Sequence, residues 1–302
     1  MAKASSQSHR SAGFSLVEVM VAVVVMGIVT SQLLAAFQQQ HTSSLEHERT
    51  IEIQQEVRLI TDVILDDVRV AGFMVPAFVA VASIDGGANG SDVLCVSDST
   101  VVNDGVLGAA NQKFQGAWLA AGINGSTSTI SVTAGGLDID DDGNDDFAEG
   151  EGLLIGTASN GHCAVITDIT GNTITFTPST PGGFSATTDD RAVPAIVYQV
   201  NNLTLTRNSL VLSNHVEDLQ VQFGVDIDRN GTVENAEFPI HDLTGQPIED
   251  VENVRISLTA RELRGDPLFA GQFPQIANRA AGAADNFRRR RTTADTVIRN
   301  LQ

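Results

Sequence analysis

The sequence predicts an α+β protein: one long N-terminal helix, membrane-spanning in its first half, packed on a mainly antiparallel β-sheet head. Three observations carry that expectation. Phe14 to Phe37, FSLVEVMVAVVVMGIVTSQLLAAF, is an apolar run of membrane-spanning length, for which roughly 20 residues suffice. Gln38 to Val70 holds no glycine or proline and repeats apolar residues at helical spacing. From Pro76 onward the chain turns to Gly, Ser, Thr and Asn around short β-rich runs.

The first element is a polar leader, residues 1–13, MAKASSQSHRSAG, closed by Gly13. In a secretory signal the small-residue cleavage site follows the apolar region, which is discarded. Here the small residue precedes the apolar run, so cutting after Gly13 leaves Phe14 as the new N-terminus and keeps the hydrophobic helix. Lys3 and Arg10 lie in the leader with no acid beside them, which puts the leader in the cytoplasm and the head outside. Glu18 stands inside the apolar run. A carboxylate there costs on the order of 2.5–3.5 kcal/mol on insertion scales, so it calls for a partner.

Gly13 to Ala22, G-F-S-L-V-E-V-M-V-A, resembles the class III leader junction of type IV pilins and type II secretion pseudopilins. The resemblance implies the type IV pilin fold, cleavage between Gly13 and Phe14 by a membrane-embedded prepilin peptidase, and N-methylation of Phe14. It makes Glu18 the fifth residue of the mature chain. A carboxylate in an apolar setting is complementary to the free amine of a neighbouring subunit, and that meeting sets the axial register of packed helices. A plain signal anchor with an incidental Glu is the competing reading.

The second element is the helix continuation, 38–72. Ile53, Val57, Ile60, Ile64 and Val68 fall at three- and four-residue spacing, one apolar stripe that packs on the protein's own head. A helix from Phe14 to Val70 would run roughly 85 Å, and Gly72 and Pro76 supply the stop. The head, 73–302, offers strand candidates at Asp92–Ser97, Thr127–Thr133, Gly152–Thr157, Cys163–Ile169, Thr173–Thr177, Ile196–Val200, Leu203–Arg207, Leu210–Ser213, Leu219–Ile227 and Asn253–Arg261. The stretch from Asn214 to Asp226, then Val251 to Arg261 and the closing Arg cluster, resembles the C-terminal region of PilW-type minor pilins and, more distantly, J-type pseudopilins.

The net charge of −19 becomes −21 once Lys3 and Arg10 leave with the leader. So acidic a head argues against nucleic acid as its partner and fits a surface that collects divalent cations. Cys95 and Cys163 both fall outside the cytoplasm in this orientation. A disulfide is the simplest reading of the pair, with two buried thiols the alternative.

Two stretches match the calcium-loop pattern D-x-[DN]-x-[DN]-G-x₅-E. In DIDDDGNDDFAE, Asp138, Asp140 and Asp142 offer side-chain oxygens, Asn144 its carbonyl, Asp146 a water-bridged contact and Glu149 a bidentate one, around Gly143. In DIDRNGTVENAE, Asp226, Asp228, Asn230, the Thr232 carbonyl, Glu234 and Glu237 take the same places around Gly231. Leu219–Val225 leads into the second loop as a strand. Both loops are therefore expected to be static Ca²⁺ clamps, not opening sensors; solvated acidic turns are the bland alternative.

Arg288 to Arg291 form a basic run whose ordinary role is that of a solvated face or an intramolecular partner for carboxylates; contact with DNA or anionic lipid is the sharper alternative, weakened by the negative charge around it. The histidines His9, His41, His47, His162, His215 and His241 show no zinc spacing. With no nucleophile elbow, phosphate loop or dinucleotide fingerprint, nothing asks to be an active site, and no enzyme is expected. The expected protein is a PilW-type minor pilin of a type IV pilus: a single-pass inner-membrane protein, then a filament or tip subunit. Its partners would be other minor pilins, the major pilin and prepilin peptidase. A type II secretion pseudopilin, or a membrane-tethered calcium-dependent adhesin, are the alternatives.

Overall fold

The computed structural model describes residues 15–73, 75–98, 100, 116–140, 142–157, 160–230, 232–241, 251–267 and 269–301. Gly13, Phe14 and Gly231 lie outside the described residues, as does the expected leader. The chain divides into two compact units, Met1–Ile51 and Glu52–Gln302.

A single helix, α1 (Leu16–Val70), forms the described part of the first unit and opens the second. In the first unit Val23, Met26, Leu33 and Phe37 are each at least 65% exposed, and apolar residues cover every face of the helix. A helix apolar all round needs lipid or other helices around it. Its 18-residue apolar window has a mean hydropathy of 2.3, and it is the one helix among the described residues long and apolar enough to cross a membrane. Thr30 and Ser31 donate their hydroxyls back to the carbonyls of Met26 (2.7 Å) and Ile28 (2.8 Å), which leaves no bare polar group on that stretch from these side chains.

In the second unit the helix behaves differently, because its sequence is striped. Ile53, Val57, Ile60, Ile64, Leu65 and Val68 are buried, while Gln54, Arg58, Asp62 and Asp66 stay exposed. The helix stops where expected. Gly72 takes φ +77°, a left-handed conformation that glycine adopts freely at a helix end. The Asn300 amide donates to the carbonyls of Val70 and Ala71, each at 3.0 Å, so the C-terminal segment caps the helix.

The longer strands of the head are β1 (Val81–Ile84), β2 (Val93–Ser97), β3 (Gly152–Thr157), β4 (Asn160–Thr170), β5 (Thr173–Thr177), β6 (Arg191–Asn201), β7 (Thr204–Arg207), β8 (Leu210–Ser213), β9 (Val216–Gly224), β10 (Asn253–Arg261) and β11 (Arg289–Val297). One sheet runs β1-β2-β6-β3-β4-β5 and ends on the short strand Thr129–Ser131. The β7–β8 hairpin and the short strand Ala117–Trp118 attach to β6. A second sheet runs β9-β10-β11, with β11 at its edge. Every ladder in both sheets is antiparallel. The fold is therefore the anticipated one, a long N-terminal helix with an antiparallel β-sheet domain.

Two of the longer strands were not anticipated. β1 is only four residues long, and β11 reads RRRTTADTV, with no apolar alternation to announce it. The strand expected over Leu219–Ile227 is β9, which starts earlier and ends at Gly224, leaving Val225 to Ile227 to the following loop.

Three apolar clusters hold the head. The largest joins the α1 stripe to Leu94, Val96, Ile196 and Tyr198 of the first sheet and to Val221, Phe223, Val254, Ile256 and Leu258 of the second. Burying each such side chain contributes about 1.5–3 kcal/mol. A second cluster lies under β3, β4 and β5 and takes in Leu137, Ile139 and Phe147. The third surrounds the cysteines. Cys95 of β2 and Cys163 of β4 form a disulfide with a Cα–Cα distance of 5.6 Å, closing a sequence separation of 68 residues. In the chain-entropy account a loop of that length contributes about 4 kcal/mol.

Candidate functional site

Glu18 lies in the first turn of α1 and is exposed. At that position the helix dipole favours a carboxylate, while the apolar neighbours Val17, Val19, Met20 and Val21 provide it no polar partner. A carboxylate on an otherwise apolar helix surface is penalised in an apolar setting unless a cation neutralises it.

The two acidic loops have matching local geometry. Alternating Asp and Asn side chains accept from backbone amides two residues on, and such bonds bend the chain into successive turns. In the first loop the Asp142 amide donates to Asp138 Oδ1 and to Asp140 Oδ1, both at 3.1 Å, and the Asn144 amide donates to Asp142 Oδ1 at 2.7 Å. In the second the Asn230 amide donates to Asp226 Oδ1 and Asp228 Oδ1, again both at 3.1 Å, and the Thr232 amide donates to Asn230 Oδ1 at 2.9 Å. Gly143 takes φ +94° at the sharp turn of the first loop.

Each loop gathers three carboxylates. Asp138, Asp140 and Asp146 each offer an oxygen within 4.8 Å of the others, and so do Asp226, Asp228 and Glu237. Two ligands on opposite sides of a calcium ion, each at about 2.4 Å, stand about 4.8 Å apart, so both groups have the span of one coordination sphere. An all-oxygen, carboxylate-rich donor set suits a hard cation.

The expected ligands divide accordingly. Asp142, Asn144 and Glu149 are exposed and outside the first group. In the second loop Asn230 and Glu234 bond to each other and to Thr232, with Asn230 Nδ2 donating to Glu234 Oε1 at 2.9 Å. Glu237, buried on a short 3₁₀ turn (Asn235–Glu237), accepts from the amides of Ile227 at 2.8 Å and Glu234 at 3.0 Å. The hydrogen bonds with Glu234 come first among the influences holding its carboxyl below the usual range, outweighing desolvation. In the first loop burial, and then the charges of Asp140 and Asp138, push Asp146 up to about 6 against amide hydrogen bonds that lower it. Burial is the larger cause; the smaller, like-charge share is what a bound cation would relieve.

Side chains outside the motif anchor both loops. Leu137, Ile139 and Phe147 plug the first into the apolar cluster beneath it. Arg255 of β10 stacks over Phe238 at 3.8 Å and donates to Asn235 Oδ1 at 2.8 Å, pinning the second loop to the sheet. Sequence spacing gave no signal for Arg255, because the pairing depends on β10 lying beside the loop.

The basic run is split by the fold. Arg288 pairs with Asp266 at 2.7 Å, and Arg289 with Glu217 at 2.6 Å and Asp285 at 2.5 Å. Hydrogen bonding to Arg289, ahead of opposing burial, draws Asp285 down to about 2. Arg290 and Arg291 have no such partner among the described residues.

Residues 8–31 match the family model for the prokaryotic N-terminal methylation motif. Among curated proteins no match was found. Among solved structures the chain is similar to a type IV-like pilin from Thermus thermophilus, at 11% identity and a TM-score of 0.34, over 83% of this chain and 98% of that one.

Proposed function

We propose that the chain is a minor pilin of a type IV pilus, of the PilW type, which primes filament assembly and takes a place at or near the tip. The observation that carries this reading is the junction itself: Gly13, Phe14 and Glu18 around a retained apolar helix, within the stretch matched by the methylation motif. Prepilin peptidase cuts after Gly13, the new amine of Phe14 is methylated, and the subunit waits in the inner membrane. On assembly Glu18 meets the amino end of a neighbouring pilin, neutralising a charge that the apolar surroundings otherwise penalise. The helix joins the filament core, and the head provides lateral contacts. In this reading Ca²⁺ fills the two acidic loops and clamps the head.

Glu18→Ala tests the assembly role. The variant should reach the membrane at wild-type level and be cleaved, yet be lost from sheared filaments. Unchanged incorporation contradicts the reading and favours a second one, a tethered calcium-dependent binding module, which the two carboxylate groups on the head suggest. Recovery in a secretion pseudopilus instead of a surface pilus would assign the chain to the pseudopilins.

A further inference from the structure

Beside the basic run lies a feature that neither assembly through Glu18 nor calcium binding uses. Strand β11 is the edge of its sheet, and among the described residues its outer rim pairs with nothing. Its register on β10 sets Arg290, Thr292, Ala294 and Thr296 opposite Ala260, Leu258, Ile256 and Val254, which are core residues. The same side of β11 therefore faces the α1 stripe. Between strand and helix runs an open groove of about 370 Å³, lined by Gln54, Arg58, Thr61 and Asp62 of α1 and by Arg290, Arg291, Thr292 and Ala294.

The side chains of Arg58, Arg290 and Arg291 are exposed and make no ion pair or hydrogen bond among the described residues. Their neighbours differ: Arg69, Arg207, Arg255, Arg261, Arg279, Arg288 and Arg289 all hold carboxylates. Asp62 is the sole carboxylate lining the groove among the described residues, and Asp295 on the far face of β11 is already bound by Arg255 at 2.7 Å. In a chain of net charge −19, three arginines from two elements, none of them in an ion pair among the described residues, line one groove with an open strand edge along it.

We propose that this groove docks an extended acidic segment of a neighbouring polypeptide chain, which adds a strand to β11 and sets its carboxylates against Arg58, Arg290 and Arg291. An unpaired edge recruits such a segment through main-chain hydrogen bonds, and alternate side chains supply specificity. Because Arg290 and Arg291 point to opposite faces of the strand, both faces of the added segment meet a cation. The inference concerns the chemistry of the groove and stands whether or not the filament reading does.

The test uses the full chain in detergent and a fluorescein-labelled peptide of about ten residues alternating glutamate and threonine, long enough to run along β11. Anisotropy should show binding that weakens with salt. Arg58→Glu with Arg290→Glu should weaken it at least about tenfold, while Arg264→Glu, an exposed arginine elsewhere, leaves it unchanged. N-methylation of alternate peptide amides should also abolish binding, because it removes the main-chain donors. Matching circular dichroism spectra establish that the variants are folded. The proposal is overturned if a lysine–threonine peptide binds equally well, if charge reversal has no effect, or if the N-methylated peptide binds as tightly. It is equally overturned if a DNA duplex or phosphatidylglycerol vesicles bind more tightly than the acidic peptide.

Discussion

Asp67 illustrates how one residue on the helix fixes the head to it. Its carboxylate accepts from the Tyr198 hydroxyl and from Arg207 Nε at 2.9 Å, and Arg207 Nε also reaches the Tyr198 oxygen at 3.3 Å. Burial, reinforced by Asp67, raises Tyr198 far above the phenol range. Burial pulls Arg207 down, but the hydrogen bond and charge of Asp67 outweigh it and hold the guanidinium charged. Asp67→Asn leaves a part-buried cation without its counter-charge, and should lower unfolding stability by roughly 2 kcal/mol in denaturant titrations. Asp92 is a different case. Fully buried, it accepts from the amides of Val221 (2.7 Å) and Gly86 (2.9 Å), yet burial outweighs those bonds and pushes it up to about 7. A carboxyl raised in the folded state favours folding most below its unfolded value, and that advantage is lost as pH rises through the folded one. Stability should therefore fall between about pH 4 and pH 7, by at most about 4 kcal/mol from this group. Asp92→Asn should flatten that slope in thermal unfolding; an unchanged slope would assign it to other groups.

At the scale of elements, α1 was legible because its signals are local: an unbroken apolar run, then a stripe at helical spacing, then Gly72. The acidic loops were legible as patterns for the same reason. Which carboxylates converge was not, because that depends on where the chain comes back. Asp146 returns toward Asp138 through the hydrogen bond that its backbone amide donates to the Leu137 carbonyl at 2.7 Å, while Glu149 stays in solvent. Strand β11 was hidden because its identity comes from pairing with β10, so its residues carry no apolar alternation of their own. The loops make a direct prediction. If each binds Ca²⁺ at the 10⁻⁴–10⁻³ M typical of extracellular modules, about 10 mM Ca²⁺ should stabilise the head by roughly 1.4–2.7 kcal/mol per loop, and Mg²⁺ by less. Asp140→Asn and Asp228→Asn should each remove one share of that gain, read as a smaller Ca²⁺-dependent rise in Tm.

Across the whole molecule, two surfaces of opposite character call for two environments. In the Met1–Ile51 unit, the stretch from Leu16 to Phe37 presents apolar side chains on every side of the helix, with one carboxylate, Glu18, near its start. The Glu52–Gln302 unit carries the acidic loops, the disulfide and the packed cores. Such a division suits a chain anchored in a membrane through its apolar helix, and under the proposed function the same helix would serve both anchoring and assembly. Mass spectrometry of the mature N-terminus, on protein purified from membranes and from sheared filaments, tests this most directly. The account predicts a chain that begins at N-methylated Phe14 in both fractions. A chain that still begins at Met1, or one that has lost Phe14 to Phe37, would contradict it.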